Sequence, residues 1–145
     1  MIGLLQRVSE ARVEVLSQII AEIQSGLLVF IGIEKKDTHA AADRLLDRLL
    51  GYRVFPDDNG RMNLSLTDIK GDLLLVPQFT LPADTKKGMR PSFSSAAPPE
   101  IGLELFEYLL ARAKTRNIQV ESGRFGADMQ VYLVNDGPVT FWLQS

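Results

Sequence analysis

The stretch Val131–Leu143, with the sequence VYLVNDGPVTFWL, sets the segment Asn135–Thr140 between two apolar runs of strand length. Each run favours a β-strand. Gly137 tolerates backbone angles closed to other residues, while Pro138 has no N–H to donate and makes a cis peptide bond accessible. The simplest interpretation is a hairpin turn. The alternative is a segment that directs backbone carbonyls towards a bound ligand.

The composition predicts one globular domain that spans residues 1–145. The chain has 145 residues, of which 46% are apolar and 23% charged, which is enough for a single core. Because the chain has no cysteine, it forms no disulfide and offers neither a thiol nucleophile nor a sulfur ligand for zinc. No segment approaches the roughly 18 continuous apolar residues of a membrane span. We therefore expect a soluble, cytoplasmic protein with no membrane contact.

The charge balance limits contact with nucleic acid. The net charge is −2 and the pI is about 5.4, which argues against a broad basic face that follows many phosphates and against DNA as a partner. Any contact with a nucleic acid should be local. Residues 82–97 are predicted to form a long surface loop, in which the basic residues Lys86, Lys87 and Arg90 either touch a few phosphates or serve as a solvated surface.

Apolar periodicity predicts a mixed fold. The unbroken run Leu27–Ile33 indicates a central strand covered on both faces, and Gly32 within it allows another backbone to approach closely. Other strands are predicted at residues 2–8, 11–15, 19–23, 73–76, 120–122, 129–134 and 139–144, and helices after Asp37 or Thr38 and after Pro98. The fold class is α/β, a single domain in which curved mixed or antiparallel β-sheets form a barrel-like core with helices packed outside.

Several kinds of catalytic site are excluded by the residues present. His39 is the sole histidine and lies in the first turn of a predicted helix, so neither a Ser-His-Asp arrangement nor a histidine-rich metal site is expected. Asp57–Asn59 resembles a calcium loop, but no glutamate follows at the required distance, and we interpret it as a turn. Glycine-rich phosphate-binding motifs are absent. We expect neither a metal nor a cofactor.

Three candidates remain: the basic loop 82–97, the Gly137-Pro138 turn, and Gln78-Phe79-Thr80, which ends a buried strand. Thr80 is either a nucleophile without an obvious base or a hydroxyl that completes the strand end. Backbone N–H groups near Phe79 offer a different chemistry, an oxyanion hole whose donors each contribute about 2.7–4 kcal/mol to transition-state binding. An activated ester needs little more than such donors.

Four segments taken together, in their order and spacing, resemble the D-aminoacyl-tRNA deacylase family of the D-Tyr-tRNA deacylase type. With Gln6–Val8 and Gly51–Phe55, the resemblance extends over essentially the whole chain. The four segments are Val76–Leu81, Gly88–Phe93, Gly123–Met129 and Asn135–Trp142.

The resemblance implies hydrolysis of the ester that joins a D-amino acid to the 3′-terminal ribose of tRNA. It also implies a homodimer in which Gly137-Pro138 is a Gly-cisPro motif that enters the partner's active site, where its carbonyls meet the substrate amino group and leave no room for an L side chain. Arg7 would hold this motif in place. No cofactor takes part, and the vicinal 2′-hydroxyl of the tRNA assists the reaction.

By the same resemblance, Gln78, Phe79 and Thr80 form the catalytic part of the pocket, with Phe79 supplying backbone donation. Met129 and Phe125 match positions in the pocket wall. Members of the family usually carry serine where this chain has Pro77, and this difference favours a mechanism that uses main-chain groups.

A pocket that selects handedness by excluding a side chain cannot exclude glycine, so we expect glycyl-tRNA to be cleaved as well. Two other functions stay open from the sequence. The first is a non-catalytic module that binds the tRNA acceptor end or a protein, and the second is a general hydrolase of small esters or amides.

Overall fold

The computed structural model describes residues Met1–Ser145 as eight strands and three helices. The strands are β1 Ile2–Val15, β2 Gln18–Ile23, β3 Gly26–Gly32, β4 Phe55–Pro56, β5 Met62–Leu64, β6 Asp72–Pro77, β7 Val120–Ser122 and β8 Gln130–Gln144. The helices are α1 His39–Gly51, α2 Leu66–Ile69 and α3 Pro99–Lys114.

Strand β1 organises the sheet because both of its edges are paired. One edge pairs antiparallel first with β3, over Ile2–Val8, and then with β2, over Ala11–Val15. The other edge pairs antiparallel with β8 over nearly its whole length. Two separate strands were predicted here, and this was wrong, since irregular register near Val8 lets one strand bend and continue.

Parallel pairing extends the sheet from β3 through β6 to β7. The predicted central strand is confirmed, since β3 is buried along almost all of its length. A Cβ added at Gly26 would lie 2.0 Å from the Asp72 carbonyl oxygen, so glycine is required where β3 and β6 begin side by side. Pro77 ends β6 beyond the last residue of β7, where a missing N–H breaks no ladder bond.

The sheet curls into a nearly closed barrel that has apolar side chains on both faces. A small cluster inside the curl includes Val8, Val13, Leu28, Leu74 and Val76. A larger cluster of 22 buried residues lies between the other face and the helices. This arrangement confirms the predicted α/β class with a barrel-like core and outer helices.

Helices α1 and α3 cover the outer face of the sheet. Thr38, one of the two predicted caps, caps α1 by accepting a hydrogen bond from the Ala41 N–H at 3.3 Å. Asp43 joins the two helices because it accepts hydrogen bonds from Arg112 at 3.0 Å and Tyr108 at 2.9 Å, which lower the pKa of its carboxyl. The one-turn helix α2 was not predicted, although its capping box, Ser65 with Asp68, is visible in the sequence.

The Asn135–Thr140 segment is not a hairpin turn. Both halves of β8 pair with β1, with Asn135 opposite Val8 and Thr140 opposite Gln6. Residues 136–139 therefore bulge out opposite the single residue Arg7 before β8 resumes on the same edge. The hairpin interpretation was wrong, because the two apolar runs do not pair with each other and both pair with the long strand β1.

No helix of the protein is long and apolar enough to cross a membrane.

Candidate active site

A cavity of about 760 Å³ opens where the parallel strands β3 and β6 end. Carboxyl ends of parallel strands commonly carry binding sites, because the chain leaves the sheet there and exposes backbone groups. The cavity wall is mostly apolar and includes Ile33, Pro77, Gln78, Phe79, Phe125 and Met129. Four of the predicted site residues are therefore brought together here.

The turn after β6 leaves two main-chain donors free. The Gln78 N–H donates to the Ile31 carbonyl at 2.8 Å, and the Leu81 N–H donates to the Gln78 carbonyl at 3.3 Å. Between them, the N–H groups of Phe79 and Thr80 have no acceptor within the protein. An acyl oxygen that carries developing negative charge is the kind of group that such donors bind.

The side chains of this turn are also ordered relative to one another. The Gln78 amide nitrogen donates to the Thr80 hydroxyl at 2.6 Å. No histidine, lysine or carboxylate shares a hydrogen bond with that hydroxyl, and Thr80 itself is exposed and not among the residues that line the cavity. The geometry thus provides Thr80 with no general base.

Gly32 fixes the position of the turn relative to the sheet. A Cβ added at Gly32 would lie 2.7 Å from Cβ of Leu81 and 2.9 Å from Cδ of Pro82. Real Cβ atoms do not make such contacts, so any larger residue has to displace the turn. The close backbone approach predicted at Gly32 is thereby confirmed, and the approaching chain is the one that carries Phe79 and Thr80.

Two further glycines allow the cavity wall to form. The Phe125 ring lies against Gly102 of α3, where an added Cβ would be 3.1 Å from Cζ of Phe125. The Met129 sulfur accepts a hydrogen bond from the Arg124 N–H at 3.3 Å and lies 2.9 Å from the position of a Cβ added at Gly123. Phe125 and Met129 thus occupy the wall, while their role towards a substrate stays a prediction.

An aromatic pair stands at the mouth of the cavity. The Phe79 and Phe93 ring centroids are 5.5 Å apart, and 66% of Phe79 is exposed, which is unusual for a large apolar side chain. Phe93 was not predicted as a site residue. Only the packing of the loop 82–97 against the end of β6 brings it to the mouth.

The predicted site residues Gly137 and Pro138 are exposed and do not line the cavity. The peptide bond between them is cis, and Gly137 has a φ of +122°. Arg7 braces the bulge because its Nε donates to the Asp136 carbonyl at 3.1 Å and its Nη1 donates to the Val54 carbonyl at 2.6 Å. The Asn135 amide closes the base of the bulge by donating to the carbonyls of Arg7 and Val139.

His39 and Asp57 lie outside the cavity. The His39 ring packs on Tyr108, with centroids 4.2 Å apart, and its Nε2 lies 3.2 Å from Glu104. The Asp57 carboxylate accepts hydrogen bonds from the N–H groups of Asn59 and Arg61, which confirms that this acidic segment is a turn. No three histidine, aspartate or glutamate side chains are grouped so as to hold a metal ion.

The fold places the chain in a class of small mixed α/β proteins with a barrel-like sheet, and two unpaired main-chain N–H groups lie at the turn beside its cavity. Comparison with known proteins identifies the family. The family model described as D-Tyr-tRNA(Tyr) deacylase matches residues 4–144. The chain belongs to this family.

Individual relatives agree with this assignment. A D-aminoacyl-tRNA deacylase of Pseudomonas fluorescens is 64% identical over 143 residues, covering 99% of each chain, and one of Pseudomonas putida is 63% identical over 142 residues, covering 98% of each. A solved structure described as a c-Myc DNA unwinding element binding protein is 36% identical, with a TM-score of 0.95 over 100% of this chain and 99% of that one. The protein is therefore a hydrolase of the ester bond of D-aminoacyl-tRNA.

A more distant structure shares the fold. A probable eukaryotic D-amino acid tRNA deacylase is 18% identical, with a TM-score of 0.86 over 99% of this chain and 98% of that one.

We expect Gly32→Ala to lower kcat on D-Tyr-tRNA by at least about tenfold while KM changes by less than about threefold, because misplacement of reacting groups by about 1 Å can cost a hundredfold in rate. Single-turnover deacylation at saturating enzyme measures this effect. Gly51→Ala is the matched control, since an added Cβ there meets nothing within 4 Å. A normal kcat in folded Gly32→Ala protein would show that the placement of the turn is unimportant.

Proposed function

We propose that this deacylase performs chiral proofreading with main-chain atoms contributed by two copies of the chain. The observation that supports the proposal is the separation of two unusual backbone segments. The free N–H groups of Phe79 and Thr80 lie at the end of β6, beside the cavity, whereas the braced bulge at Gly137-Pro138 is exposed and does not line that cavity. A second copy of the chain can present its bulge to the cavity of the first.

In the proposed reaction, water attacks the ester carbonyl carbon and a tetrahedral intermediate forms. The negative charge on the former carbonyl oxygen is stabilised by the N–H groups of Phe79 and Thr80. The bond to the ribose 3′-oxygen then breaks, that oxygen takes a proton, and the free amino acid leaves as the carboxylic acid. The vicinal 2′-hydroxyl of the tRNA positions the water and relays the proton, because Thr80 has no base beside it.

Pro77 is consistent with this assignment of roles. A proline supplies neither a hydroxyl nor an N–H at the end of β6, so this position has no side-chain chemistry to offer. Gln78 orients Thr80 through the 2.6 Å hydrogen bond between their side chains. We infer that Gln78 and Thr80 shape the turn and position the substrate, while the backbone at Phe79 binds the developing charge.

Selection of handedness is assigned to the Gly137-Pro138 carbonyls of the partner copy. They accept hydrogen bonds from the substrate ammonium group and occupy the space that an L side chain needs. The Phe125 and Met129 walls receive the D side chain. Glycine has no side chain to exclude, so glycyl-tRNA is also a substrate.

The homodimer is supported by the surface of β8. This strand has one unpaired edge and carries three half-exposed apolar residues, Tyr132, Val134 and Trp142. A long apolar edge strand favours association with another chain. The Arg7 brace holds the bulge on the same strand, so an interface along β8 would present Gly137-Pro138 to the partner.

The charge of the chain suits a local grip on the tRNA acceptor end. With a net charge of −2, the chain lacks the basic surface that broad binding along a nucleic acid needs, which also disfavours DNA as a partner. Aminoacyl-tRNA is present in the cytoplasm, where we place the protein. The competing function is a non-catalytic module that binds the acceptor end or a protein, and such a module leaves every ester intact.

Incubation with D-Tyr-tRNA, L-Tyr-tRNA and Gly-tRNA tests the proposed function. We expect D-Tyr-tRNA and Gly-tRNA to be hydrolysed, and L-Tyr-tRNA to be cleaved at least about 100-fold more slowly because steric clash costs several kcal/mol. Release of labelled amino acid measures each rate. Resistance of Gly-tRNA equal to that of L-Tyr-tRNA would contradict steric rejection, and intact esters throughout would favour the binding module.

Thr80→Val tests whether the hydroxyl positions or attacks. We expect kcat to fall by no more than about tenfold, the value of one ordinary hydrogen bond, whereas loss of a true nucleophile costs about 10⁴-fold or more. Thr80→Ser, which keeps the hydroxyl, is the matched control. Acid-quenched enzyme is examined by mass spectrometry, and an acyl group trapped on Thr80 would overturn the positioning role.

Gly137→Ala tests the bulge. An added Cβ would lie 2.8 Å from Nη2 of Arg7, at a φ of +122° that L side chains rarely adopt, so we expect activity on D-Tyr-tRNA to fall at least about tenfold. Gly60→Ala is the control, since Gly60 has a φ of +74° but open space around it. Unchanged activity and selectivity in Gly137→Ala would remove the bulge from the mechanism.

Mixing two impaired variants tests whether the bulge acts across the dimer. Random pairing of Gly32→Ala with Gly137→Ala subunits leaves one intact site in each heterodimer, about a quarter of all sites. Refolding the two variants together should therefore restore measurable deacylation. If the mixture stays as inactive as its components, the bulge acts within its own chain.

A further inference from the structure

Lys35 is the one basic residue that lines the cavity. The remaining charged residue of the lining is Asp128, which repels phosphate. Lys86, Lys87 and Arg90 belong to the exposed loop and do not line the cavity. A polyanionic substrate that enters this cavity therefore meets a single positive charge at its wall.

The backbone around Lys35 is held firmly beside the loop 82–97. The Lys35 N–H donates to the Ser95 carbonyl at 3.1 Å, and the Ala97 N–H donates to the Ile33 carbonyl at 2.9 Å. A β-bridge between Glu34 and Ala96 lies between these two bonds. The position of the Lys35 backbone, three residues after the end of β3, is thus fixed by its pairing with the end of this loop.

The Lys35 side chain has no partner within the protein. None of the ion pairs of the chain involves it. The neighbouring carboxylates of Glu34 and Asp37 pair with the Met1 amino group instead, each within 4.0 Å. Lys35 is exposed, so its ammonium group is free to bind an anion. Lys36 is also exposed and unpaired but does not line the cavity, which makes it a natural reference.

We propose that Lys35 binds the phosphate that joins the last two nucleotides of the tRNA. This inference rests on the proposed function, in which the 3′-terminal ribose ester lies at the free N–H groups of Phe79 and Thr80. The phosphate on the 5′ side of that ribose is the substrate phosphate nearest to the scissile bond. An ammonium group in the cavity wall can contact it, whereas the cations of the loop lie outside the lining.

A phosphate contact of this kind lowers KM and leaves the chemical step unchanged. It helps to hold the ester in the cavity, but it does not touch the acyl carbon or the developing oxyanion. It also adds to the salt dependence of binding, since each phosphate neutralised on a single strand contributes about 0.7 to the slope of log affinity against log salt.

The test compares two substrates and two variants. Wild type, Lys35→Met and Lys36→Met are assayed with D-Tyr-tRNA and with the 3′-D-tyrosyl ester of adenosine, which has no phosphate. For Lys35→Met we expect KM for D-Tyr-tRNA to rise about 5–10-fold, kcat to stay within about twofold and the salt slope to fall by about 0.7. The same variant should cleave the adenosine ester like wild type, and Lys36→Met should match wild type on both substrates.

Three results would overturn the phosphate contact. They are an unchanged KM of Lys35→Met for D-Tyr-tRNA, an equal loss on the adenosine ester, and an equal shift in Lys36→Met. A charge-reversed Lys35→Glu should raise KM for D-Tyr-tRNA further than Lys35→Met, and circular dichroism verifies that both variants fold. Failure of wild type to cleave any ester would instead refute the proposed function, and the Lys35 contact would fall with it.

Discussion

The pairing of β8 with nearly the whole of β1 is the constraint on which the rest of the structure depends. Strand β1 is long enough to pair with β2 and β3 along one edge and with both halves of β8 along the other. Because β8 returns to the same edge after the bulge, residues 136–139 are fixed at both ends by regular sheet. Arg7 lies opposite the bulge and donates to the Asp136 carbonyl, so an irregular backbone segment is held in one place.

The cavity depends on a different property of the sheet, the parallel alignment of β3 with β6. Parallel strands end at the same edge of the sheet. Gly26 allows β3 and β6 to approach closely where they begin, and Gly32 allows the turn after β6 to pack against the end of β3. In the turn that follows, the N–H groups of Gln78 and Leu81 donate to backbone carbonyls, whereas the N–H groups of Phe79 and Thr80 are left without an acceptor. Backbone donors held by the sheet in this way need no reorganisation when charge develops on a substrate.

Electrostatics explains how a chain with a net charge of −2 can act on a polyanion. Many of its charged groups are engaged within the fold, such as Asp43 with Arg112 and Tyr108 between the two long helices. Lys35 is the one cation that lines the cavity, whereas Lys36 and the cations of the loop 82–97 lie outside the lining. A polyanionic substrate in the cavity therefore meets one positive charge at the wall, whatever the net charge of the chain.

Much of the fold was predictable from local sequence. The buried strand at Leu27–Ile33 and the helix cap at Asp37 or Thr38 follow from local residue types, and the structure confirms the strand and selects Thr38 as the cap. The residues Gln78, Phe79, Phe125 and Met129 were assigned by resemblance, and the structure places them around one cavity. Phe93 belongs to a segment of the resemblance but was not assigned to the site, and Lys35 carried no signal, because the positions of both depend on how the loop 82–97 packs against the ends of β3 and β6.

By itself the sequence determined the fold class and the family, because periodicity and motifs can be read along the chain. Its composition also excluded disulfides, thiol nucleophiles and a Ser-His-Asp arrangement. Tertiary structure decided that the Asn135–Thr140 segment is a bulge and not a hairpin, because the same turn residues suit both and only the length of β1 selects between them. It also decided that two segments far apart in the chain, at Gly32 and at Leu81-Pro82, meet within contact distance. Local preferences cannot specify such a meeting, which arises from the packing of parallel strands whose pairing partners lie more than forty residues apart.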